Sequence, residues 1–346
     1  MSTAPGTAGW TPVVDLHAHV FFPDLPDLAA ETGDPRWPRL VPGIVDGHSD
    51  ADRGEVWRGE DRFRVVRRPF WDAEARVAEM DQLGTDVQVV SPIPVAVTYW
   101  ADGSDALRFA REQNDRIAAT VADSGGRLLG LGTVPLQDPT AAADELARIT
   151  GPLGLAGAEI GTVVQGAELD HPELRPFFRA AAELRAPLFL HPIDGSGVLR
   201  CSDPHTDFAI GMHTDTALAA KALVYGGVLA ELPELRVCLA HGGGAFPWTH
   251  PRLRWRAAAT SAADPADLDA LVRRLWADCL VFDPLPFGVL AARYGPDHLT
   301  LGSDYPFIDH DPTGPLDDAV VAGSITAAEA TAIRGPNALA FLGLGP

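Results

Sequence analysis

Short apolar runs alternate with helix-length amphipathic segments along most of the chain. Val13-Val14-Asp15-Leu16 opens the series. Val87–Val90, Leu128–Val134 and Leu155–Ile160 predict the second, third and fourth strands. Pro187–His191, Val237–His241, Leu280–Phe282 and Leu299–Asp304 predict the fifth to the eighth. Each run is short and flanked by turn residues, as buried parallel strands are. Asp72 can cap a helix whose Val77, Met80 and Leu83 share a face and which Gly84 ends. Further helices are predicted over about 105–123, 140–149, 172–184 and 214–232. Eight strands separated by helices predict an α/β fold, a closed (β/α)8 TIM barrel; an open doubly wound sheet is the alternative. Residues 22–70 interrupt the alternation with Pro, Gly, Trp and charge, and read as a long insertion after strand 1. No low-complexity linker appears, so 1–346 reads as a single barrel domain.

Composition narrows the partners. The net charge of −20 argues against nucleic acid or an anionic membrane surface. A small anionic substrate remains compatible, because arginines can gather locally. Cys201, Cys238 and Cys279 form no even framework, and the last two sit in strand-like runs, so reduced thiols and a cytoplasmic location are expected. The N-terminus shows no basic segment followed by an apolar stretch, and no run is long enough to span a bilayer.

The chemistry collects at strand ends. Strand alternation puts His17 and His19 of His17-Ala18-His19 on one face, which makes half a metal site. Three other runs end in a potential ligand: His191, His241 (followed by Gly242-Gly243-Gly244) and Asp304. In a (β/α)8 barrel all such ends face one mouth. Three histidines and one aspartate with an open position suit one divalent metal, Zn2+ first, with Mn2+ or Fe2+ also able to occupy it.

His-x-His on strand 1, His on strands 5 and 6 and Asp on strand 8 resemble the amidohydrolase superfamily. Phe63-Arg-Val-Val-Arg67, Glu79-Met-Asp-Gln82, His241-Gly-Gly-Gly-Ala-Phe-Pro247, Asp304-Tyr-Pro-Phe307 and Asn337-Ala-Leu-Ala-Phe-Leu342 resemble its aminocarboxymuconate-semialdehyde decarboxylase branch. The resemblance implies that His17, His19, His191 and Asp304 are the metal ligands, and that Asp304 and His241 form the catalytic pair with His241 as acid/base. It implies loss of CO2 without oxidation from a small unsaturated or aromatic carboxylate, 2-amino-3-carboxymuconate-6-semialdehyde being the first candidate. Hydrolysis of a lactone or amide is the alternative. Two-metal members of the superfamily use a carboxylated lysine on strand 4; the sole lysine here is Lys221, outside that segment, which favours a single metal.

Arg64 matches the branch's carboxylate-anchoring arginine, and Arg252 one donated across a homodimer interface. Two positions depart from the branch. Ile193 stands where it has Trp, and Phe282 where it has His. His213 is within reach of the pocket by its place in the chain, with no role assigned to it. His48, His171, His205, His250, His298 and His310 read as loop histidines, Tyr305 and Phe307 as packing residues, and the glycine run as a place where backbone passes close to the site.

Overall fold

The first apolar run becomes β1 (Val14–Val20), buried along its whole length, because a barrel strand has side chains on one face and helices on the other. The protein is described by a computed structural model over residues 11–193, 203–261, 263–308 and 311–345. After β1 come β2 (Pro38–Val45), β3 (His48–Arg58) and β4 (Asp61–Arg67), then β5 (Val87–Pro92), β6 (Leu128–Thr133) and β7 (Gly157–Gly161). A short hairpin, β8 (Val163–Val164) and β9 (Ala167–Glu168), precedes β10 (Leu188–His191), β11 (Val237–Leu239), β12 (Trp276–Asp278) and β13 (Leu299–Thr300).

Strands β1-β5-β6-β7-β10-β11-β12-β13 form one eight-stranded sheet with parallel pairing throughout. A parallel bridge between Ala18 and Tyr305 and a hydrogen bond from Leu16 N to Leu301 O, 3.0 Å, bring its two edges together. The result is the (β/α)8 barrel that the alternation predicts. Val14, Leu16, Val89, Leu131, Phe189 and Cys238 pack together inside it, against Phe341 and Leu342 of the helix Pro336–Leu342.

Residues 22–70 are more ordered than their composition suggests. They form the helix Leu28–Thr32 and the antiparallel sheet β2-β3-β4. Phe21, Trp37, Val56, Phe70 and Phe109 share an apolar cluster that seats this sheet on the barrel.

Several boundaries differ from the sequence reading. The seventh strand is Trp276–Asp278, not Leu280–Phe282. Asp278 is tolerated there, fully buried, because its carboxylate is saturated with donors. The helix expected over 214–232 breaks into Met212–Tyr225 and Val228–Glu231, since Gly226-Gly227 lies between them with Gly227 at φ 86°. His250 is buried on the helix Phe246–Ser261 rather than on a loop, between Tyr225 and Asp269. Cys238 and Cys279 are buried free thiols, while Cys201 and His310 lie outside the described residues. Among the described residues, no helix is long and apolar enough to cross a membrane.

Candidate active site

His17 and His19 lie within β1, where its register with β5 shifts between Asp15 and Ala18; such irregularities re-aim side chains beside active sites. His191 ends β10. Asp304 follows β13, held at φ 57° while its N–H donates to His17 O at 2.9 Å. One donor atom from each of His17, His19, His191 and Asp304 lies within 4.8 Å of all the others, and all four residues are buried. The two Nε2 atoms of His17 and His19 are 3.1 Å apart, and Asp304 Oδ1 is 3.1 Å from His19 Nε2.

The far side of each imidazole explains its orientation. His19 Nδ1 contacts Pro92 O at 2.9 Å, and His191 Nδ1 contacts Pro192 O at 2.8 Å. A carbonyl can only accept, so Nδ1 carries the proton and Nε2 presents its lone pair to the cluster. His17 is oriented likewise, its Nδ1 2.7 Å from Asp278 Oδ2. His191 Nε2 is buried, with no hydrogen-bond partner among the described residues. Orientation of ring nitrogens by outer carbonyls and carboxylates is the arrangement of metal-binding histidines.

Electrostatics point the same way. Burial opposes a charge on His17, but the hydrogen bond and charge of Asp278, with Asp304 and Asp15, outweigh it and raise the imidazole to about 9. Burial also pushes Asp304 up, yet His19 and His17 bring its carboxyl down to about 2. The pocket thus favours one net positive centre among its donors, which a divalent cation satisfies. The residues fit a divalent metal.

His241 lies two residues past β11 at φ 55°. Its ring centroid is 5.1 Å from that of His17 and 5.0 Å from that of His191. Burial, followed by the neighbouring His17, lowers it to about 4, so it is neutral near pH 7. His213 stacks on it at 5.8 Å and 23°. That approach requires Gly244, where a Cβ would stand 2.3 Å from His213 O.

The sequence reading missed Asp278 and left His213 without a role. Asp278 joins the two halves of the site: it accepts from His17, from Gly242 N at 3.0 Å and from Leu280 N at 3.1 Å. Placing the seventh strand on 280–282 put this aspartate before the strand instead of at its end. Glu159, on β7, bonds Ser91 Oγ at 2.5 Å and lies beneath His19.

Arg64, on β4, reaches the mouth, where its guanidinium lies 4.7 Å from the ring centre of Phe307. It lines the same cleft as His191, Phe208, His241 and Asp304. The cleft itself holds only about 30 Å3, about the share of one water in the liquid. Larger cavities adjoin it: about 790 Å3 beside Pro94, Tyr99, Trp100 and Ile193, and about 420 Å3 beside His213, His241, Trp248 and Phe282. Phe307 packs as expected, but against His19 and Arg64, so it forms a wall of the site. Arg252 is exposed on the helix Phe246–Ser261 and lines a surface depression with Leu218, Lys221 and Arg256; within one chain it is not brought to the cluster.

A parallel barrel with buried histidines and an aspartate at its strand ends defines a metal-dependent barrel of the amidohydrolase type. The chain matches that family over residues 14–344 and belongs to it. It is 35% identical over 340 residues to 2-amino-3-carboxymuconate-6-semialdehyde decarboxylase of Dictyostelium discoideum, covering 96% of this chain and 92% of that protein. It is 31% identical over 232 residues to gamma-resorcylate decarboxylase of a Rhizobium species, covering 62% of this chain and 66% of the relative. The crystal structure of 5-carboxyvanillate decarboxylase from Sphingomonas paucimobilis superposes with a TM-score of 0.78 at 25% identity, covering 96% of this chain and 99% of the other.

Proposed function

We propose that this protein is a metal-dependent, non-oxidative decarboxylase of a small unsaturated or aromatic carboxylate, with 2-amino-3-carboxymuconate-6-semialdehyde as the first candidate. The observation that carries this reading is the convergence of four buried donors on one point, in a chain similar over nearly its whole length to that decarboxylase.

In this reading His17, His19, His191 and Asp304 hold the metal, Zn2+ by preference of the donor set. An ion bound there would supply Lewis-acid polarisation of an oxygen brought to it. Arg64 takes the substrate carboxylate bidentately, and Phe307 limits the space beside it. His241 is neutral and so able to accept a proton, with no hydrogen-bond partner at Nδ1 among the described residues. His241 takes a proton from a water in the cleft and passes it to the carbon that bears the carboxylate; the bond to the carboxylate then breaks with its electron pair kept by that carbon, CO2 leaves, and the hydroxide passes to solvent. Asp278 keeps His17 and the turn before His241 in fixed relation.

The proposal extends to a homodimer in which Arg252 reaches the partner's site. Trp248 and Trp255, 77% and 70% exposed, share its helix, and aromatic side chains of that size are what a second subunit covers. The free, buried thiols of Cys238 and Cys279 support a cytoplasmic location. Residues 22–70 are read as an insertion within one domain.

CO2 release from freshly generated 2-amino-3-carboxymuconate-6-semialdehyde, by zinc-loaded and metal-stripped protein, tests the function. Release by the loaded form alone is expected. Hydrolysis of lactones or amides by the loaded protein, with no CO2 from any carboxylate, would overturn it.

A further inference from the structure

The helix Ala73–Leu83 buries an arginine where its sequence promised only apolar side chains. Arg76 is 1% exposed, while Val77 and Leu83 are only half-buried. No carboxylate pairs with Arg76 among the described residues. Its three contacts go elsewhere: Nε to Pro69 O at 3.0 Å, Nη1 to Gln88 Oε1 at 2.9 Å, and Nη2 to His19 O. Its guanidinium also lies 4.9 Å from the ring centre of Tyr305. Burying a cation without a contacting anion is costly, and an apolar side chain would pack there without that cost. The contacts show what the charge is used for.

Gln88 passes the link on. Its Nε2 donates to Asp15 Oδ2 at 3.0 Å, across the register pair that joins β1 to β5. Asp15, fully buried, also accepts from Ser303 Oγ at 2.5 Å, Ser303 N at 3.1 Å and His17 N at 3.1 Å. Ser303 Oγ in turn accepts from Tyr305 N at 3.1 Å. The chain Arg76–Gln88–Asp15–Ser303 therefore runs beneath the donor cluster and ends on both sides of it. One end holds the His19 carbonyl, the other the residues flanking Asp304. Its third branch, to Pro69, grips the segment that follows β4, the strand of Arg64.

We propose that Arg76 is a positioning residue: acting through Gln88 and Asp15, it holds His17 and His19 of β1 in fixed geometry with Asp304 and so sets the affinity of the metal site. This rests on the metal reading above. Arg76 touches none of the four donor atoms, only the His19 backbone carbonyl, so its effect reaches the ion through the backbone it holds.

The test compares wild type, Arg76→Lys and Gln88→Met. Arg76→Lys keeps the charge and loses the three-way fork; Gln88→Met cuts the link with similar volume. Zn2+ affinity is measured by competition with a chelator, and the Co2+-loaded forms are compared by visible absorption, well below each variant's unfolding temperature. Metal affinity about tenfold weaker or more, with an altered Co2+ spectrum in both variants, is expected. Variants that lose thermal stability but keep wild-type affinity and spectrum would reduce Arg76 to a packing residue and overturn the inference. Wild-type protein that binds neither ion would overturn the metal reading itself, and the inference with it.

Discussion

Two walls of the same cleft are built in opposite ways. The wall formed by β1 and the segment after β13 is buried, and His17, His19 and Asp304 are tied by hydrogen bonds on their far sides. The opposite wall is the β2-β3-β4 sheet, which brings Arg64 to the mouth. Much of β3 and β4 is exposed, and charges pair at the surface, as Arg53 does with Asp50 and Arg62 with Asp46. Exposed pairs of this kind contribute roughly 0–1 kcal/mol each, so the apolar cluster around Trp37, Val56 and Phe70 is what seats the sheet. The metal side is preorganised by the barrel. In the proposed reading the β2-β3-β4 wall takes the substrate, and it meets the donors through Phe307, packed between Arg64 and His19.

That contrast is broken most severely at the donors. Asp304→Ala should abolish metal binding and activity together, as metal analysis and CO2 release would show. His241→Asn should lower turnover by about 10²–10⁴-fold while the bound metal is retained, which separates proton transfer from ligation. Phe70→Ala tests the seating of the sheet. A cost of about 3–5 kcal/mol in unfolding free energy is expected by denaturant titration, with the Co2+ spectrum unchanged where the protein stays folded.

Arg64→Ala should raise KM by about tenfold to a hundredfold, the loss of a charged hydrogen bond worth ~1.5–3 kcal/mol, and leave metal affinity as in wild type. Weakened metal binding in this variant would show that the two walls are not separable. The smallest effect lies away from both walls, at Asp269. Burial pushes this carboxyl up, but hydrogen bonds from His250 and Arg254 win and hold it below its ordinary value. A depressed folded-state pKa contributes stability that is complete above the ordinary value of about 4 and fades as pH falls through the folded value. Tm measured from pH 6 down to pH 3 should therefore drop less steeply in Asp269→Asn than in wild type.

The same division governs what could be read from the chain. Donors that close a short apolar run are readable because buried strands are such runs; His191 and Asp304 do so, whereas His17 and His19 sit inside β1, which runs on to Val20. Asp278 was hidden by register. Leu280-Val-Phe282 looks like a strand, but hydrogen bonding ends the strand at Asp278, and the apolar residues beyond it line the cavity beside His241. Arg76 was hidden by type, since a charged residue within a helical pattern reads as solvated. Its burial depends on three oxygens from distant segments. His213 needed the close approach at Gly244, which no local spacing announces. The β2-β3-β4 sheet was read only as a polar stretch, because its exposed faces carry charge in place of alternating apolar residues.

The central claim is that four strand-end donors form one metal site on which decarboxylation depends. Titrating Zn2+ into metal-stripped protein, while following CO2 release from 2-amino-3-carboxymuconate-6-semialdehyde and bound metal together, tests it most directly. The account predicts no release without metal and a linear gain that levels off at about one ion per chain. Full release by the stripped protein, or saturation only at two ions per chain, would contradict it.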